Sequence, residues 1–310
     1  MEIAGLLFQE IAALFLIMAL GFVLVKARVL KSENSRILSM VVIYLIQPAV
    51  ILNAFQIDFT PQVRDGFLIA AGTAVAVNLV LALLTGGWGR LFRLDGVERS
   101  SIMYANAGNL VIPLVTAILG PEWVIYASAF MCVQLAFIWS HGQMLIGGAA
   151  GASWKKILTN VNLIAVAAGL IFLLTGFRLP SILRNVCGQL SGTLGPVTMI
   201  MLGMLLADVK WGELIRQPRN WLIMALKMIV TPLIILLLLK LSGVAGMTED
   251  GRTLIYVSFL AVITPCAATV TQLAQMYRNR PAYASALNAL TTVISIVTMP
   301  LMTWLYYLIM

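Results

Sequence analysis

Charge is scarce in this chain of 310 residues: 12 are acidic, 20 are basic, one is a histidine, and charged side chains make up 10% of the total. Soluble domains carry roughly a quarter charged residues, so the shortage excludes that class. Cysteine is sparse as well. Cys132, Cys187 and Cys266 stand far apart with no metal-ligand spacing, which argues against a disulfide framework and against a metal site. The single histidine, His141, has no serine or carboxylate partner in a catalytic pattern within the apolar stretches. An intramembrane hydrolase is therefore not expected, nor is any cofactor. The basic excess is spread along the chain and lacks the clustered face that nucleic acid would need.

What is abundant is apolar material, 61% of the residues. Windows of about 20 apolar residues, enough to cross roughly 30 Å of hydrocarbon, recur ten times between charged or Gly/Pro-rich breaks. They predict an all-α polytopic membrane protein with spans near 6–26, 36–56, 66–88, 99–120, 123–147, 157–177, 190–208, 219–241, 252–277 and 282–309. The first span has Glu2 and no basic residue ahead of it, and its positive cluster follows the apolar run, so it reads as a retained helix. Lys and Arg accumulate in loops that stay in the cytoplasm. Most of the basic residues follow odd-numbered spans: Lys26, Arg28, Lys31 and Arg36; Arg90, Arg93 and Arg99; Lys155 and Lys156; Lys210, Arg216 and Arg219; Arg278 and Arg280. The opposite side holds Arg64, Arg178, Arg184, Lys240 and Arg252. Both termini are accordingly expected outside the cell membrane.

A weak internal repeat runs through these spans. Gly21 matches Gly169, Pro48 matches Pro196, Pro113 matches Pro265, and Tyr126-Ala127-Ser128-Ala129 matches Tyr283-Ala284-Ser285-Ala286, at a separation that grows slowly and never reverses. The expected halves are 1–147 and 157–310, joined by a short linker at 148–156. Five spans in each half is an odd number, so the second half would sit inverted, as in many secondary carriers.

Two spans carry a break signal near their centres. Span 4 reads Asn106-Ala107-Gly108-Asn109-Leu110-Val111-Ile112-Pro113, amides and a glycine followed by a proline suited to a first helical turn. Span 9 reads Ile263-Thr264-Pro265-Cys266, where Thr264 can cap and Pro265 can take the first helical position. In lipid an unpaired backbone group is costly, so such gaps occur where protein buries them or where they line a cavity. Each would present a half-helix N-terminus with free N–H groups, suited to a carboxylate. Pro48 and Pro196 read as kinks, with Gln47 beside Pro48 open between packing and binding. Lys227 is the only charge well inside a span. It is either an anion-attracting or gating group, with Asn78 as a possible polar partner, or a side chain snorkelling to the nearby surface.

The chain resembles the auxin efflux carrier family. The resemblance is carried by the Gly-Phe-Val-Leu-Val stretch of span 1, Tyr44-Leu-Ile-Gln-Pro48, the Asn106 to Pro113 spacing, Lys155-Lys156-Ile-Leu-Thr-Asn160, Leu179-Pro180, the Lys227 to Pro232 spacing, and the Thr-Pro of span 9 with Tyr277 after it. It runs over essentially the whole chain. That family includes plant PIN-type auxin carriers and bacterial malonate or malate carriers, and is related to bile acid:sodium symporters. The resemblance implies ten helices in two inverted five-helix repeats, a scaffold of helices 1, 2, 6 and 7, and a transport domain of helices 3, 4, 5, 8, 9 and 10 in which 4 and 9 are broken and cross. It implies a small organic anion as substrate and the possibility of a homodimer. Asn106 stands where the family's asparagine binds the substrate carboxylate, and Asn160 and Asn162 match its asparagine pair at the start of helix 6, with Val161 where proline is common. The substrate-binding set expected from all of this is Asn106, Asn109, Pro113, Thr264, Pro265, Cys266, Asn160, Asn162, Gln47 and Lys227. The competing expectation is a sodium-coupled symporter of the bile-acid type. Spans 4 and 9 have no Asp or Glu around their breaks, which counts against it.

Overall fold

The computed structural model describes residues 2–58, 60–148, 158–209 and 211–310. Among these, every regular element is helical. The α-helices are α1 (Glu2–Lys26), α2 (Ser35–Val41), α3 (Gln47–Ala54), α4 (Pro61–Leu91), α5 (Gly96–Met103), α6 (Ile112–Ile118), α7 (Val124–Phe137) and α8 (Gln143–Gly147), followed by α9 (Val161–Thr175) and α10 (Ser181–Leu206). The last part of the chain forms α11 (Trp211–Ile215), α12 (Pro218–Ala225), α13 (Thr231–Leu241), α14 (Gly251–Ile263), α15 (Ala268–Met276) and α16 (Pro281–Ile309). Among the described residues, six continuous helical stretches are long and apolar enough to cross a membrane: Ser32–Ala54, Pro61–Leu91, Pro121–Gly147, Ser181–Leu206, Pro218–Leu241 and Pro281–Ile309. Shorter apolar helices cover Ala12–Lys26, Val161–Thr175 and Gly251–Ile263. Large apolar side chains such as Leu16, Leu83, Ile171, Leu174, Leu237 and Leu301 point outward, as a lipid-facing surface requires. The expected linker at 148–156 lies, apart from Gly148, outside the described residues, as do Lys155, Lys156 and Lys210.

Expected span 7 begins at residue 190, whereas α10 begins at Ser181. Its first turns carry Arg184, Asn185 and Gln189, which mask the apolar pattern, and Pro180 just before it is a helix-start signal.

Among the described residues, four π-helical turns interrupt these rods: Val42–Ile46, Ala107–Val111, Ile138–Gly142 and Leu226–Val230. Three of them run directly into a proline at the second position of the next α-segment, Pro48, Pro113 and Pro232. Proline has no N–H to donate and its ring crowds the carbonyl one turn back. A π-turn places the extra residue there and relieves both problems. Just before Pro232, Leu226 O accepts both the Thr231 N–H, the bond that closes the π-turn, and the Thr231 hydroxyl, the latter at 2.6 Å. Pro48 and Pro113 thus mark bulges in running helices. Pro196 sits inside the regular α10.

The chain forms two compact units, each drawing on both halves of the sequence. The first comprises Met1–Phe67, Gly108–Ser128 and Leu158–Val209; the second comprises Leu68–Ala107, Ala129–Ile157 and Lys210–Met310. In the first unit α1 and α10 touch through backbone. A Cβ on Gly203 would fall on the Met18 carbonyl, and one on Gly21 would fall on the Ile200 carbonyl. Glycine is what permits that approach. Gly169 of α9 is covered in the same way by the Phe55 ring at the end of α3.

In the second unit, the N-terminus of α5 is closed by a capping box: the Glu98 N–H donates to Asp95 Oδ1 and the Asp95 N–H donates to Glu98 Oε2, both at 2.9 Å. Arg219 of α12 grips the Glu98 carboxylate with Nε and Nη2, each at 2.8 Å, and Tyr283 of α16 donates its hydroxyl at 3.1 Å. Three helices are tied together there by one buried carboxylate.

Candidate functional site

Within the second unit, the two expected breaks are real, and they are joined. Helix α14 stops at Ile263 because the next residue but one is Pro265, whose ring drives Thr264 into an extended conformation (φ −74°, ψ 157°). Helix α5 stops at Met103, and Tyr104 is likewise extended (φ −90°, ψ 129°). The two extended segments run antiparallel. The Asn106 N–H donates to Pro265 O and the Ala267 N–H donates to Tyr104 O, each at 3.0 Å. Ala105 and Cys266 form the only isolated β-bridge among the described residues.

The backbone groups that point away from this pairing are met by side chains. Gln134 of α7 donates Nε2 to Ala105 O at 2.7 Å and accepts the Ala105 N–H on Oε1 at 3.3 Å. On the other strand, Asn288 of α16 donates Nδ2 to Cys266 O at 2.7 Å, and Thr291 Oγ1 accepts the Cys266 N–H at 3.2 Å. Pro265 fits this ladder because it has no N–H to satisfy. The result is an interruption of two helices in which the N–H and C=O of both Ala105 and Cys266 are met by side chains.

Asn106 and Lys227 stand out among the buried polar side chains of this region. Asn106 is 3% exposed, and its Nδ2 has no hydrogen-bond partner. Lys227, in the Leu226–Val230 turn, is 1% exposed. No carboxylate lies within ion-pair distance of it among the described residues. Its turn packs against α5, which leads into the first break, and against α16, which carries Asn288 and Thr291, and its charge is felt by the Cys266 thiol. The snorkelling alternative for Lys227 therefore falls: the ammonium is enclosed by protein. Asn78, its expected polar partner, donates its amide to Ala74 O within its own helix.

Several expected details are corrected. Thr264 does not cap the second half-helix; it closes the first, with its N–H and Oγ1 both bonded to Ala261 O. Pro265 is not a first helical residue but part of the extended pairing, and α15 begins three residues later behind Ala267, with no side-chain cap. Pro113 lies beyond the break of span 4, after the Ala107–Val111 turn, so the N–H groups that follow it belong to a running helix. Asn109 is within that turn, and its side chain lies outside what the structure describes. Gln47, Asn160 and Asn162 belong to the first unit. There Asn160 Oδ1 caps α9 by accepting the N–H groups of Asn162 and Leu163 at 3.0 and 3.2 Å. Asn162 Nδ2 donates to Gln47 Oε1 at 3.1 Å.

The residues that hold the crossing, Tyr104, Ala105, Gln134, Ala267, Asn288 and Thr291, are absent from the set expected from the sequence. Gln134 and Asn288 had a readable signal, since amides inside apolar spans need a reason to be there. Tyr104 is braced further by its hydroxyl, 2.8 Å from His141 Nδ1 and 3.1 Å from Phe137 O. No group of His, Cys, Asp or Glu among the described residues could hold a metal ion.

This chain matches the family described as Membrane transport protein over residues 6–153 and 149–303. It is also similar to an uncharacterized transporter of Methanothermobacter thermautotrophicus, 27% identical over 213 residues, which is 64% of this chain and 67% of that protein. Apolar helices of spanning length, two interrupted helices paired inside one unit and a family match over nearly the full length converge: the chain belongs to the membrane transport protein family.

Proposed function

We propose that this protein carries a small organic anion, bound through a carboxylate, across the cell membrane by alternating access, as a uniporter or exchanger. The observation that carries the reading is the buried, unpartnered amide of Asn106 at the paired breaks. A buried donor left unmade costs about 1–3 kcal/mol, so the site is built for an acceptor. The start of α15, which has no side-chain cap, adds N–H groups and a partial positive charge next to the pairing. Neutral amides and helix ends hold a carboxylate without trapping it. The segments Tyr104–Asn106 and Thr264–Ala267 contain no carboxylate, which favours transport without sodium.

The reading includes ten spans in two inverted halves with both termini outside. Support comes from parallel contacts inside each unit. Gly21 of α1 meets α10, and Gly169 of α9 meets the end of α3. Gln134 of α7 clamps one break as Asn288 and Thr291 of α16 clamp the other. The test is flux in proteoliposomes against a panel of monocarboxylates and dicarboxylates, with and without sodium. Asn106→Leu keeps the backbone bond to Pro265 but removes the donor. It should lower transport about 10-fold or more, the equivalent of one hydrogen bond to a charged group, with expression unchanged. Normal transport by that variant would refute the site, and a strict sodium requirement would favour a symporter.

A further inference from the structure

The net charge of the crossing bears on what it can take. Four helix ends meet there. Helices α5 and α14 bring C-termini at Met103 and Ile263, α15 brings an N-terminus at Ala268, and the π-turn that follows the first break starts at Ala107. Each end carries a fractional charge of about half a unit, negative for the first two and positive for the others, so to first order they offset one another. Lys227 is then the one whole charge at the crossing. Among the described residues no carboxylate supplies a counter-charge. Among the ionisable groups on elements packed against its turn, Glu98 of α5 is occupied by Arg219, Asp95 N–H and Tyr283, and Arg99 of α5 acts on Tyr104 and His141. The Cys266 thiol and Lys227 act on one another electrostatically. An enclosed ammonium without a partner is strongly unfavourable. The Asn106 amide, whose backbone N–H donates to Pro265 O, is a buried unsatisfied donor of the same unit.

We propose that Lys227 is the counter-charge of the bound substrate, and that the crossing therefore takes organic anions bearing a single negative charge in preference to fully ionised dicarboxylates. The inference rests on the carboxylate reading given above. One carboxylate pairs with the Lys227 ammonium and accepts from the Asn106 amide. A second carboxylate on the same molecule enters an enclosed region with no further cation, and its desolvation is uncompensated.

The test compares succinate with its monomethyl ester at pH 7.5. The two have the same chain, but the ester has one charge. Binding to the full chain in detergent is read by thermal shift and competition, which avoids passive leak of the ester. The ester should bind about 100-fold more tightly than succinate, the effect of leaving one charge unpaired. Lys227→Met should lose most affinity for the ester and with it the preference, whereas Lys227→Arg should keep the preference. Equal binding of succinate and ester by the wild-type chain overturns the charge assignment and leaves the carboxylate reading standing. Unchanged affinity and preference in a folded Lys227→Met do the same. Binding of neither compound, nor of any carboxylate in the panel, overturns the carboxylate reading and this inference together.

Discussion

The backbone N–H of Asn106 donates to the carbonyl of Pro265 at 3.0 Å, so two residues from opposite halves of the chain form one rung of a two-residue ladder between helix ends. The bond is made by main chain and does not consume the Asn106 side chain, whose Nδ2 has no hydrogen-bond partner. It also makes the crossing depend on side chains elsewhere, because each strand has a second edge.

Gln134 covers that edge on one strand. Replacing it with leucine preserves size and apolar contacts but leaves the N–H and C=O of Ala105 buried without partners, at about 1–3 kcal/mol for each group. Gln134→Leu is expected to lower the thermal unfolding midpoint in detergent clearly, and Asn288→Leu by a smaller amount, since Asn288 serves only Cys266 O. A midpoint for Gln134→Leu equal to wild type would mean that the clamp contributes nothing.

Glu98 lies just ahead of span 4 and supplies the pH dependence. Burial works against its charged form, but the hydrogen bonds from Arg219, the Asp95 N–H and Tyr283, together with the Arg219 charge, outweigh burial and hold its carboxyl below the usual range. A depressed folded value means stability that is fully present above the unfolded pKa of about 4.3 and lost as pH falls through the lower folded value. Glu98→Gln should therefore be less stable than wild type at pH 7, by roughly 1–3 kcal/mol. The difference should shrink as pH is taken below 4. Unfolding midpoints of both proteins across that range provide the check; a gap that stays constant would assign the effect to packing rather than charge.

Gly203 allows α10 to touch α1. Its missing Cβ would meet the Met18 carbonyl, a backbone atom with no rotamer to yield. Gly203→Val is expected to destabilise the first unit by about 3 kcal/mol, at the upper end for overpacking, and to reduce the yield of monodisperse protein. Gly212→Val, where a Cβ would meet open space, is the matched control.

The orientation follows from the distribution of Lys and Arg. Ser32 lies in the basic segment between Lys31 and Arg36, expected in the cytoplasm. A cysteine placed at Ser32, in a background without the native cysteines, should resist an impermeant maleimide in intact cells and react after lysis. Labelling of intact cells would reverse the topology.

Much of this protein is set by its sequence alone. Apolar runs of spanning length dictate helices in a membrane, because no other backbone arrangement but a closed barrel satisfies its peptide groups in lipid. Thr264-Pro265 ends α14 through a local steric rule that needs no neighbour. Lys227, as the only charge deep in a span, was visible as a functional candidate. A break in span 4 was legible, but its position at Tyr104 was not, since no proline stands there, and the more conspicuous Pro113 marks a bulge nine residues further along. What stops α5 at Met103 is the carbonyl of Pro265 and the amide of Gln134, partners that are far away in the chain. A strand buried among helices exists only when its hydrogen bonds can be supplied from outside the segment, and that supply is a property of tertiary structure.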